Sequence, residues 1–209
     1  MKIKNKHLKN RHCPLCNSQV NLNNNNVLFT NIGANNIERY IISKCPDCNF
    51  IHQNPSYETS YYNNLYSDLI YDPTGDNYYP GMVSRYKSIL SVIRKILKTE
   101  KICRILDFGC YNGTFIKWIR QNKLINKSII LDGYDIYLKN IENDSSFFNS
   151  YDELIKNANS KKYDVIIFNH VIEHILNPRE LLKGVIDDLL CIDGFVVIEV
   201  PDISLINNY

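Results

Sequence analysis

Four cysteines near the N-terminus have the spacing of metal ligands. Cys13 and Cys16 form one C-x-x-C pair, and Cys45 and Cys48 form a second. Each pair can hold two thiolates on one tight turn, and four thiolates suit tetrahedral Zn²⁺. With all four positions of the metal filled by protein, we expect a closed, structural zinc site rather than a catalytic one.

A hairpin can occupy the long segment between the two cysteine pairs. We assign its strands to Val27–Thr30 and Glu38–Ser43, with a turn near Gly33. A redox role for the thiols is the alternative, but it would need a thioredoxin-like βαβ context, which the sequence lacks. His12 and His52 lie near the pairs, and we interpret them as bystanders because four cysteines already complete the site.

A second stretch with chemical potential runs from Arg104 to Gly113 and reads Arg-Ile-Leu-Asp-Phe-Gly-Cys-Tyr-Asn-Gly. An apolar strand, Ile102–Leu106, leads into Asp107, and a turn with two glycines precedes a helix that begins near Thr114. Glycines allow a backbone to approach a ligand closely, and the start of a helix offers free N–H groups. The Asp107 side chain is an acceptor that suits a ligand amine or hydroxyl. These features predict a nucleotide-sized pocket.

The spacing of the glycines separates this turn from a dinucleotide-binding loop. Gly109 and Gly113 are separated by three residues, whereas the dinucleotide fingerprint is G-x-G-x-x-G. This disfavours a nicotinamide enzyme. The simplest alternative is an ordinary strand–turn–helix unit with incidental glycines.

The second predicted strand, Ser128–Asp135, ends in an acid. Asp135 lies 22 residues after Gly113, where an acid can accept hydrogen bonds from both ribose hydroxyls of an adenosine. Asp132 is a rival but lies inside the strand. Alternatively, Asp135 is the N-cap of a following helix.

Two histidines follow the fourth predicted strand. The apolar run Lys162–Asn169 is typical of a buried parallel strand, and His170-Val-Ile-Glu-His174 comes directly after it. The H-x-x-E-H pattern also occurs in a group of zinc peptidases, but there it lies within a helix and needs a further acidic ligand. Here it adjoins a strand end, which disfavours the peptidase interpretation. A hydrogen-bonded structural role for either histidine is the remaining alternative.

The other elements follow from hydrophobic periodicity. Apolar residues three and four apart predict a helix over Met82–Lys98, and Asn177-Pro178 begins another as N-cap and first helical residue. Phe147–Ser150 is a weak third strand, and Gly194–Val200 is a fifth. Seven tyrosines mark residues 55–80 as an irregular linker or a substrate-facing lid.

Composition excludes several classes of protein. The 209 residues are 44% hydrophobic and 22% charged, with a net charge of +2, so no general attraction to nucleic acid or membrane is predicted. The sequence contains no apolar run long enough for a transmembrane helix and no apolar signal segment. The odd count of seven cysteines argues against a disulfide framework. We expect a cytoplasmic protein.

Taken in order, the motifs of residues 102–202 resemble the class I S-adenosylmethionine (SAM) dependent methyltransferases. The matching segments are Ile-Leu-Asp-Phe-Gly-Cys-Tyr-Asn-Gly, Gly-Tyr-Asp-Ile, Tyr-Asp-Val-Ile-Ile-Phe-Asn-His-Val-Ile-Glu-His and Gly-Phe-Val-Val-Ile-Glu-Val-Pro. The third is especially similar to the group called methyltransferase domain 23. Some members of the family, including sugar C-methyltransferases, have an N-terminal zinc module similar to this one.

The resemblance implies roles for individual residues. The methionine end of SAM would be held by Asp107, Gly109, Cys110 and Gly113, the ribose by Asp135 beside Ile136, and the region near the sulfonium by Asn169 and His170. His170 and His174 are the candidates for a general base. Tyr111 departs from the family, where a small residue is common.

The resemblance also implies a fold and its limits. We expect an α/β, Rossmann-like sheet with helices on both faces, preceded by a small zinc-ribbon-like module. The domains would be a zinc module over residues 1–54, a tyrosine-rich linker over 55–81 and a SAM-dependent methyltransferase core over 82–209. The family sheet has seven strands, and only five fit before Tyr209, so we expect the last strands to be missing.

Three functions follow from these observations. The first is methyl transfer from SAM to a small molecule, favoured to be a sugar or nucleotide-sugar. The second is an RNA methyltransferase whose zinc module docks the RNA, which the modest net charge disfavours. The third is a truncated protein that binds SAM without turnover.

Overall fold

The computed structural model describes residues 9–20, 27–33, 36–54, 56, 58, 60, 80–99, 104–126, 128–138 and 144–201. The chain divides into two compact units, residues 1–70 with 176–180 and residues 71–175 with 181–209. Most of the predicted linker, residues 34–35 beside the predicted hairpin turn at Gly33, and Cys103 lie outside the described residues. None of the described helices has the length and apolar character needed to cross a membrane.

The first unit contains a three-stranded antiparallel sheet. Strand β1 (Val27–Gly33) pairs with β2 (Asn36–Lys44), and β2 pairs with β3 (Ile51–Gln53). The predicted hairpin is therefore present, with strands longer than expected. Strand β3 was not predicted, because its three residues form a strand only through their pairing with β2.

The second unit is built on a five-stranded parallel sheet with the order β6-β5-β4-β7-β8. Its strands are β4 (Arg104–Phe108), β5 (Ile130–Tyr134), β6 (Phe147–Phe148), β7 (Tyr163–Asn169) and β8 (Leu190–Glu199). Four helices accompany them: α1 (Pro80–Thr99), α2 (Thr114–Gln121), α3 (Tyr151–Ser160) and α4 (Pro178–Leu189). This is the Rossmann-like architecture that the sequence predicts.

Alternation along the central strands produces two apolar layers, one on each face of the sheet. Ile105 of β4 belongs to the layer that contains α1 and α2. Its neighbour Leu106 belongs to the layer that contains residues of α3 and α4. Strand β4 is buried along its whole length, as expected for a central parallel strand.

Several boundaries differ from the predictions. Strand β4 is described from Arg104, with the predicted residues 102–103 outside the described residues, and it continues to Phe108 rather than ending at Leu106. Strand β8 begins at Leu190 rather than Gly194. The earlier start of β8 reflects an extra pairing of Leu190 with Tyr163 across an irregularity in the register. Helix α3 was not predicted, because only Leu154 and Ala158 are buried among its mostly polar residues.

Candidate active site and metal centre

The turn between β4 and α2 is held in place by the neighbouring strand. The backbone N–H groups of Gly109 and Cys110 both donate to the carbonyl oxygen of Tyr134, at 2.7 and 3.0 Å. The N–H of Gly113 donates to the carbonyl of Cys110 at 2.9 Å. Both glycines have positive φ, 79° and 74°, a conformation that glycine adopts without steric cost. The conformation of the turn is therefore stabilised by hydrogen bonds within the protein itself.

Gly109 has a second constraint that the sequence did not reveal. A Cβ at this position would lie 2.4 Å from Cγ2 of Val171, in the loop that follows β7. The sequence predicts that the absence of a Cβ at Gly109 makes room for a ligand. In the structure that space is filled by Val171, so Gly109 joins two loops at the carboxyl edge of the sheet.

Asp135 connects the glycine turn to the end of β5. Its Oδ2 accepts the backbone N–H of Tyr111 at 2.9 Å, and its Oδ1 accepts that of Tyr137 at 2.8 Å. Burial raises the pKa of Asp135, while these two hydrogen bonds oppose the rise. Each carboxylate oxygen has a further lone pair that can accept a ligand hydroxyl.

Asp107 is the most enclosed acid of the site. Its side chain is only 3% exposed, and its Oδ1 has no hydrogen-bond partner among the described residues. Burial, and to a smaller extent the charge of Asp135, raise the pKa of Asp107 to about 7. A buried acceptor without a donor is costly unless a ligand or water supplies one.

Two amide oxygens at the same edge also lack a donor. Oδ1 of Asn112, in the glycine turn, and Oδ1 of Asn169, at the end of β7, are buried without a hydrogen-bond partner among the described residues. In the register of β4 and β7, Phe108 pairs with Phe168. The chain leaves the two strands at neighbouring points, into Gly109 and Asn169.

These groups fit the donors and acceptors of SAM. The amine, ribose hydroxyls and adenine amino group of SAM can donate to the unpartnered oxygens of Asp107, Asn112 and Asn169 and to Asp135. Helix α2 begins after Gly113 without a side-chain cap, so its first N–H groups are available to the carboxylate of SAM.

Two other predicted cofactor contacts differ in character. Ile136 is 58% exposed just after β5 and offers an apolar surface beside Asp135. Cys110 is buried, and its sulfur fills the space above Gly133, where an added Cβ would lie 2.8 Å from it. The Cys110 thiol therefore packs against Gly133 of β5. Burial raises the pKa of this thiol well above the ordinary range.

His170 lies in a cluster of charged side chains. Its Nε2 is 2.6 Å from Nη1 of Arg85 and 2.8 Å from Oε2 of Glu199, and its Nδ1 is 3.4 Å from Oε1 of Glu173. The Glu199 contact has an ion-pair distance without hydrogen-bond geometry, since that oxygen satisfies no hydrogen-bond criterion. His170 also has a φ of 56°, a strained value typical of functional loops.

The protonation of His170 determines which neighbours it bonds. With Nδ1 protonated, the ring donates towards Glu173 and its Nε2 lone pair accepts from Arg85. With Nε2 protonated, two donors, Nε2–H and the guanidinium of Arg85, would face one another at 2.6 Å. To act as a base through Nε2, His170 would have to release Arg85.

His174 is more open than His170. It ends the short 3₁₀ helix Ile172–His174, with a side chain that is 51% exposed, and its Nε2 is 3.9 Å from Oε1 of Glu173. Glu173 thus lies between the two histidines. Both candidate bases are at the carboxyl edge of the sheet.

The sequence interpretation missed Glu199 and Arg85. Glu199 follows the apolar run of β8, and the rule that located Asp107 and Asp135, an acid at a strand end, would have identified it. Arg85 carried no comparable signal, because it is one of several basic residues on α1. Only folding brings it to His170.

Asp132 is the alternative to Asp135 as the ribose-binding acid, but its side chain is hydrogen-bonded to other residues of the sheet and of α3. It is 3% exposed, and its Oδ2 accepts from Nη2 of Arg104 at 2.6 Å and from the hydroxyl of Tyr163 at 2.9 Å. Asn157 approaches the same oxygen at 3.4 Å. The Asp132 carboxylate is thus satisfied within the fold.

The four N-terminal cysteines come together as predicted. Their sulfur atoms all lie within 4.8 Å of one another, with Cys13 to Cys48 and Cys16 to Cys45 both at 3.5 Å. Sulfurs bound to one tetrahedral zinc at about 2.3 Å would be about 3.8 Å apart. The group can therefore hold a metal ion with the dimensions of zinc.

Two similar backbone turns position these thiols. In each C-x-x-C pair the residue after the second cysteine, Asn17 or Asn49, donates its N–H to the carbonyl of the first at 2.9 or 3.0 Å. Both asparagines have left-handed φ values, 63° and 61°. Among the described residues, the metal-binding group does not include His12, which is exposed, or His52, which stacks on Phe50 at 6.0 Å.

Comparisons with solved structures show similar chains. The plantazolicin methyltransferase BpumL, in complex with a triazolic desmethylPZN analog and SAH, is 24% identical, with a TM-score of 0.37 over 62% of this chain and 46% of that chain. A SAM dependent methyltransferase from Archaeoglobus fulgidus is 24% identical, with a TM-score of 0.41 over 58% of this chain and 57% of that chain. This chain therefore spans about half the length of those structures.

A comparison with curated proteins gave no match. A family model described as "Methyltransferase domain", the domain 23 group, matches residues 82–208. The match covers more than half of the chain and includes the glycine turn, the end of β5 and the loop after β7. The chain therefore belongs to this methyltransferase domain family.

Proposed function

We propose that the protein binds SAM at the carboxyl edge of its parallel sheet and transfers the methyl group to a small molecule. The observation that carries this proposal is the glycine turn after β4, fastened by Asp135 and bordered by unpartnered buried oxygens. SAM supplies a methyl group that its sulfonium has already activated for transfer. The main task of the protein is then to align the acceptor with that methyl group.

The residues divide this task between them. Asp107 would accept from the amine of SAM, Asp135 from the ribose hydroxyls, and the start of α2 would bind the carboxylate. The backbone of Gly109, Cys110 and Gly113 would give the turn its shape. Ile136 would provide an apolar contact beside the ribose, and Asn169 would line the region near the sulfonium.

The charges at this edge favour a neutral hydroxylated acceptor. Asp107, Asp135, Glu173 and Glu199 all lie at or just after the ends of parallel strands, with His170 and Arg85 among them. Such a surface is unfavourable for the phosphates of RNA, which bind to clusters of positive charge. We therefore favour a sugar. For a nucleotide-sugar, the diphosphate would have to lie away from these acids.

A carbon or oxygen acceptor also needs a base. His170 and His174 are the candidates, and Glu173 lies between them. We expect His174→Ala to lower methyl transfer with little effect on SAM affinity if it removes the base. His170→Ala would in addition remove the contacts of Arg85 and Glu199 with the imidazole. If both variants retain full turnover with an identified acceptor, neither histidine is the base.

We propose a structural role for the cysteine cluster, with Zn²⁺ as the bound ion. All four sulfurs face one another, which leaves no open coordination position for a substrate if four cysteines bind a tetrahedral ion.

The first experiment is a calorimetric titration of the zinc-loaded protein with SAM. In Asp135→Ala the turn loses its hydrogen bond at Tyr111 and the ribose loses its acceptor. Because hydrogen bonds to charged groups contribute about 1.5–3 kcal/mol each, we expect binding to weaken by roughly 10- to 100-fold. Asp193→Ala, an exposed acid near the start of β8, is the matched control and should bind normally. Absence of SAM binding by the folded, unmutated protein would refute the proposal.

A further inference from the structure

Asp107 and Asp135 are a pair of acids at the same edge of the sheet to which no described residue supplies a cation. Asp107 is the second-last residue of the buried strand β4, opposite Gly133 of β5, and Asp135 follows two residues after Gly133. No ion pair in the described part of the chain includes either carboxylate. Elsewhere in the same sheet the buried Asp132 is paired with Arg104 at 2.6 Å. The pair beside the glycine turn is therefore an exception within this fold.

The surroundings of Asp107 do not replace the missing cation. The titratable groups that act on its carboxyl are Asp135, beyond β5, and the Cys110 thiol, in the turn. On β7 its register partner is the apolar Ile167. From α1, the hydroxyl of Tyr86 is 2.7 Å from Oγ1 of Thr114, the first residue of α2. None of these groups is a cation. At the same edge of the sheet, Arg85 and His170 lie 2.6 Å from one another, and His170 also contacts Glu199 and Glu173.

A buried carboxylate without a cation or donor is unstable in its charged form. Two acids close together also oppose the ionisation of one another, so the first proton is retained to higher pH. Oδ1 of Asp107, buried and without a partner, is the atom where charge would be least satisfied. Protonation neutralises that charge, and a bound cation balances it.

We propose that Asp107, beside Asp135, retains a proton in the ligand-free protein and that a positively charged ligand expels it. This inference rests on the function proposed above. SAM carries an ammonium group and a sulfonium, and the ammonium can both neutralise Asp107 and donate to its free oxygen. Binding of SAM then releases a proton from Asp107 to solvent at neutral pH, and ionisation of Asp107 makes its contribution to SAM affinity rise with pH.

The expected size of the effect follows from the pKa of Asp107, which burial raises to about 7. At pH 7 the ligand-free carboxyl is about half protonated, so about half a proton is released per SAM bound. Through Asp107 alone, the affinity for SAM falls by about tenfold between pH 8 and pH 6. Protonation of the SAM amine, whose pKa is about 8, opposes this change, so the tenfold effect is expected in the comparison of the parent protein with Asp107→Asn.

The test is SAM titration calorimetry of the full, zinc-loaded chain in phosphate and in Tris, from pH 6 to pH 8. The difference in heat between buffers measures the protons released. Asp107→Asn, which has nearly the same shape, should lose this release and the pH dependence. Asp193→Asn, at the other end of the sheet from Asp107, should retain both. The amine of SAM titrates equally in every titration, so comparison of variants cancels it.

A second measurement does not depend on binding by the variant. Carbon-13 NMR of aspartate carboxyls should show one group in the ligand-free protein that titrates near neutrality and is missing from Asp107→Asn. Saturating SAM should move its titration to lower pH. SAM binding without proton release, or aspartates that all titrate below pH 5, would overturn the inference and leave the proposed function intact. No SAM binding at all would overturn both.

Discussion

Gly109 is required for two independent physical reasons. Its φ of 79° is unfavourable for any residue with a Cβ, and the methyl groups of Val171 occupy the position that a Cβ would need. Neither reason involves a ligand directly. The glycine of a cofactor loop can thus be fixed by packing between loops as much as by the approach of the cofactor.

We predict that Gly109→Ala lowers the free energy of unfolding by about 1–3 kcal/mol, through backbone strain and overpacking. Gly184→Ala is the matched control, because an added Cβ meets nothing within 4 Å at that helical position. It should be neutral or stabilising by up to about 1 kcal/mol. Urea denaturation of both variants tests this. In the Gly109→Ala background, Val171→Ala should remove the destabilisation that comes from the steric clash and leave the part that comes from backbone strain. Equal stability of Gly109→Ala and Gly184→Ala would refute the prediction.

Among the elements, the two cysteine turns show how local backbone geometry supports a metal centre. Each turn closes with an asparagine in the left-handed region, a conformation that asparagine tolerates better than most residues. The turns are 28 residues apart in the sequence, yet they have the same hydrogen-bond pattern. The metal would then connect two preformed halves.

We predict that Asn49→Gly binds zinc normally, whereas Asn49→Val binds it more weakly. A β-branched residue at φ near 61° costs about 1–2 kcal/mol, which corresponds to roughly a 5- to 30-fold loss of affinity. Competition with a chelator measures the affinity. Asn17, at the equivalent position of the first turn, should respond in the same way. If both valine variants match the parent protein, the left-handed turns do not determine metal affinity.

The buried network at the base of β4 has a structural role. The side chains of Arg104 and Asp132 are both about 5% exposed. The guanidinium of Arg104 also lies 4.4 Å from the ring centre of Tyr163. Strands β4, β5 and β7 each contribute one of these residues. The network therefore fixes three neighbouring strands relative to one another.

We predict that Asp132→Ala lowers the free energy of unfolding by about 3–5 kcal/mol, because it leaves Arg104 buried and unpaired. Replacement of both partners, Arg104→Met with Asp132→Leu, should be less harmful than the single change. The control is Asp144→Ala at the more exposed pair with Arg120, for which a loss of at most about 1 kcal/mol is expected. Chemical denaturation measures all three. A small effect of Asp132→Ala would show that the network contributes little.

For the whole molecule, the ligand-free site is a source of instability that depends on pH. The pKa of Asp107 is about 7 in the folded protein, against 3.8 for an ordinary aspartate. Between these values the folded state binds more protons than the unfolded state. The free energy of unfolding therefore falls as pH rises from about 4 to about 7, because burial opposes ionisation.

We predict that Asp107→Asn stabilises the ligand-free protein above pH 7 and has little effect near pH 4. The pKa difference corresponds to an upper limit of about 4 kcal/mol. Thermal and urea unfolding of the parent protein and the variant, measured from pH 4 to pH 8, test this. A difference in stability that does not change with pH would contradict it. The same variant should bind SAM more weakly, so that stability and binding change in opposite directions.

Local patterns determined much of this description. The C-x-x-C pairs, the glycine turn and the apolar runs of the sheet depend on residue type and short-range spacing, and the structure has the corresponding elements. Asp107 and Asp135 were found by looking for acids at the ends of predicted parallel strands. This works because the end of an apolar strand and the residues of the following turn can be recognised within a few positions of the sequence.

Tertiary structure alone decided the contacts between distant segments. Arg85 meets His170, Val171 fills the space at Gly109, and Asp132 is satisfied by Arg104 and Tyr163, in each case across tens of residues. Helix α3 and strand β3 were missed for the same reason, since their stability comes from neighbours rather than from their own pattern. Periodicity identifies which face of an element is buried, but only packing determines what it is buried against, and hence which acids have partners and which do not.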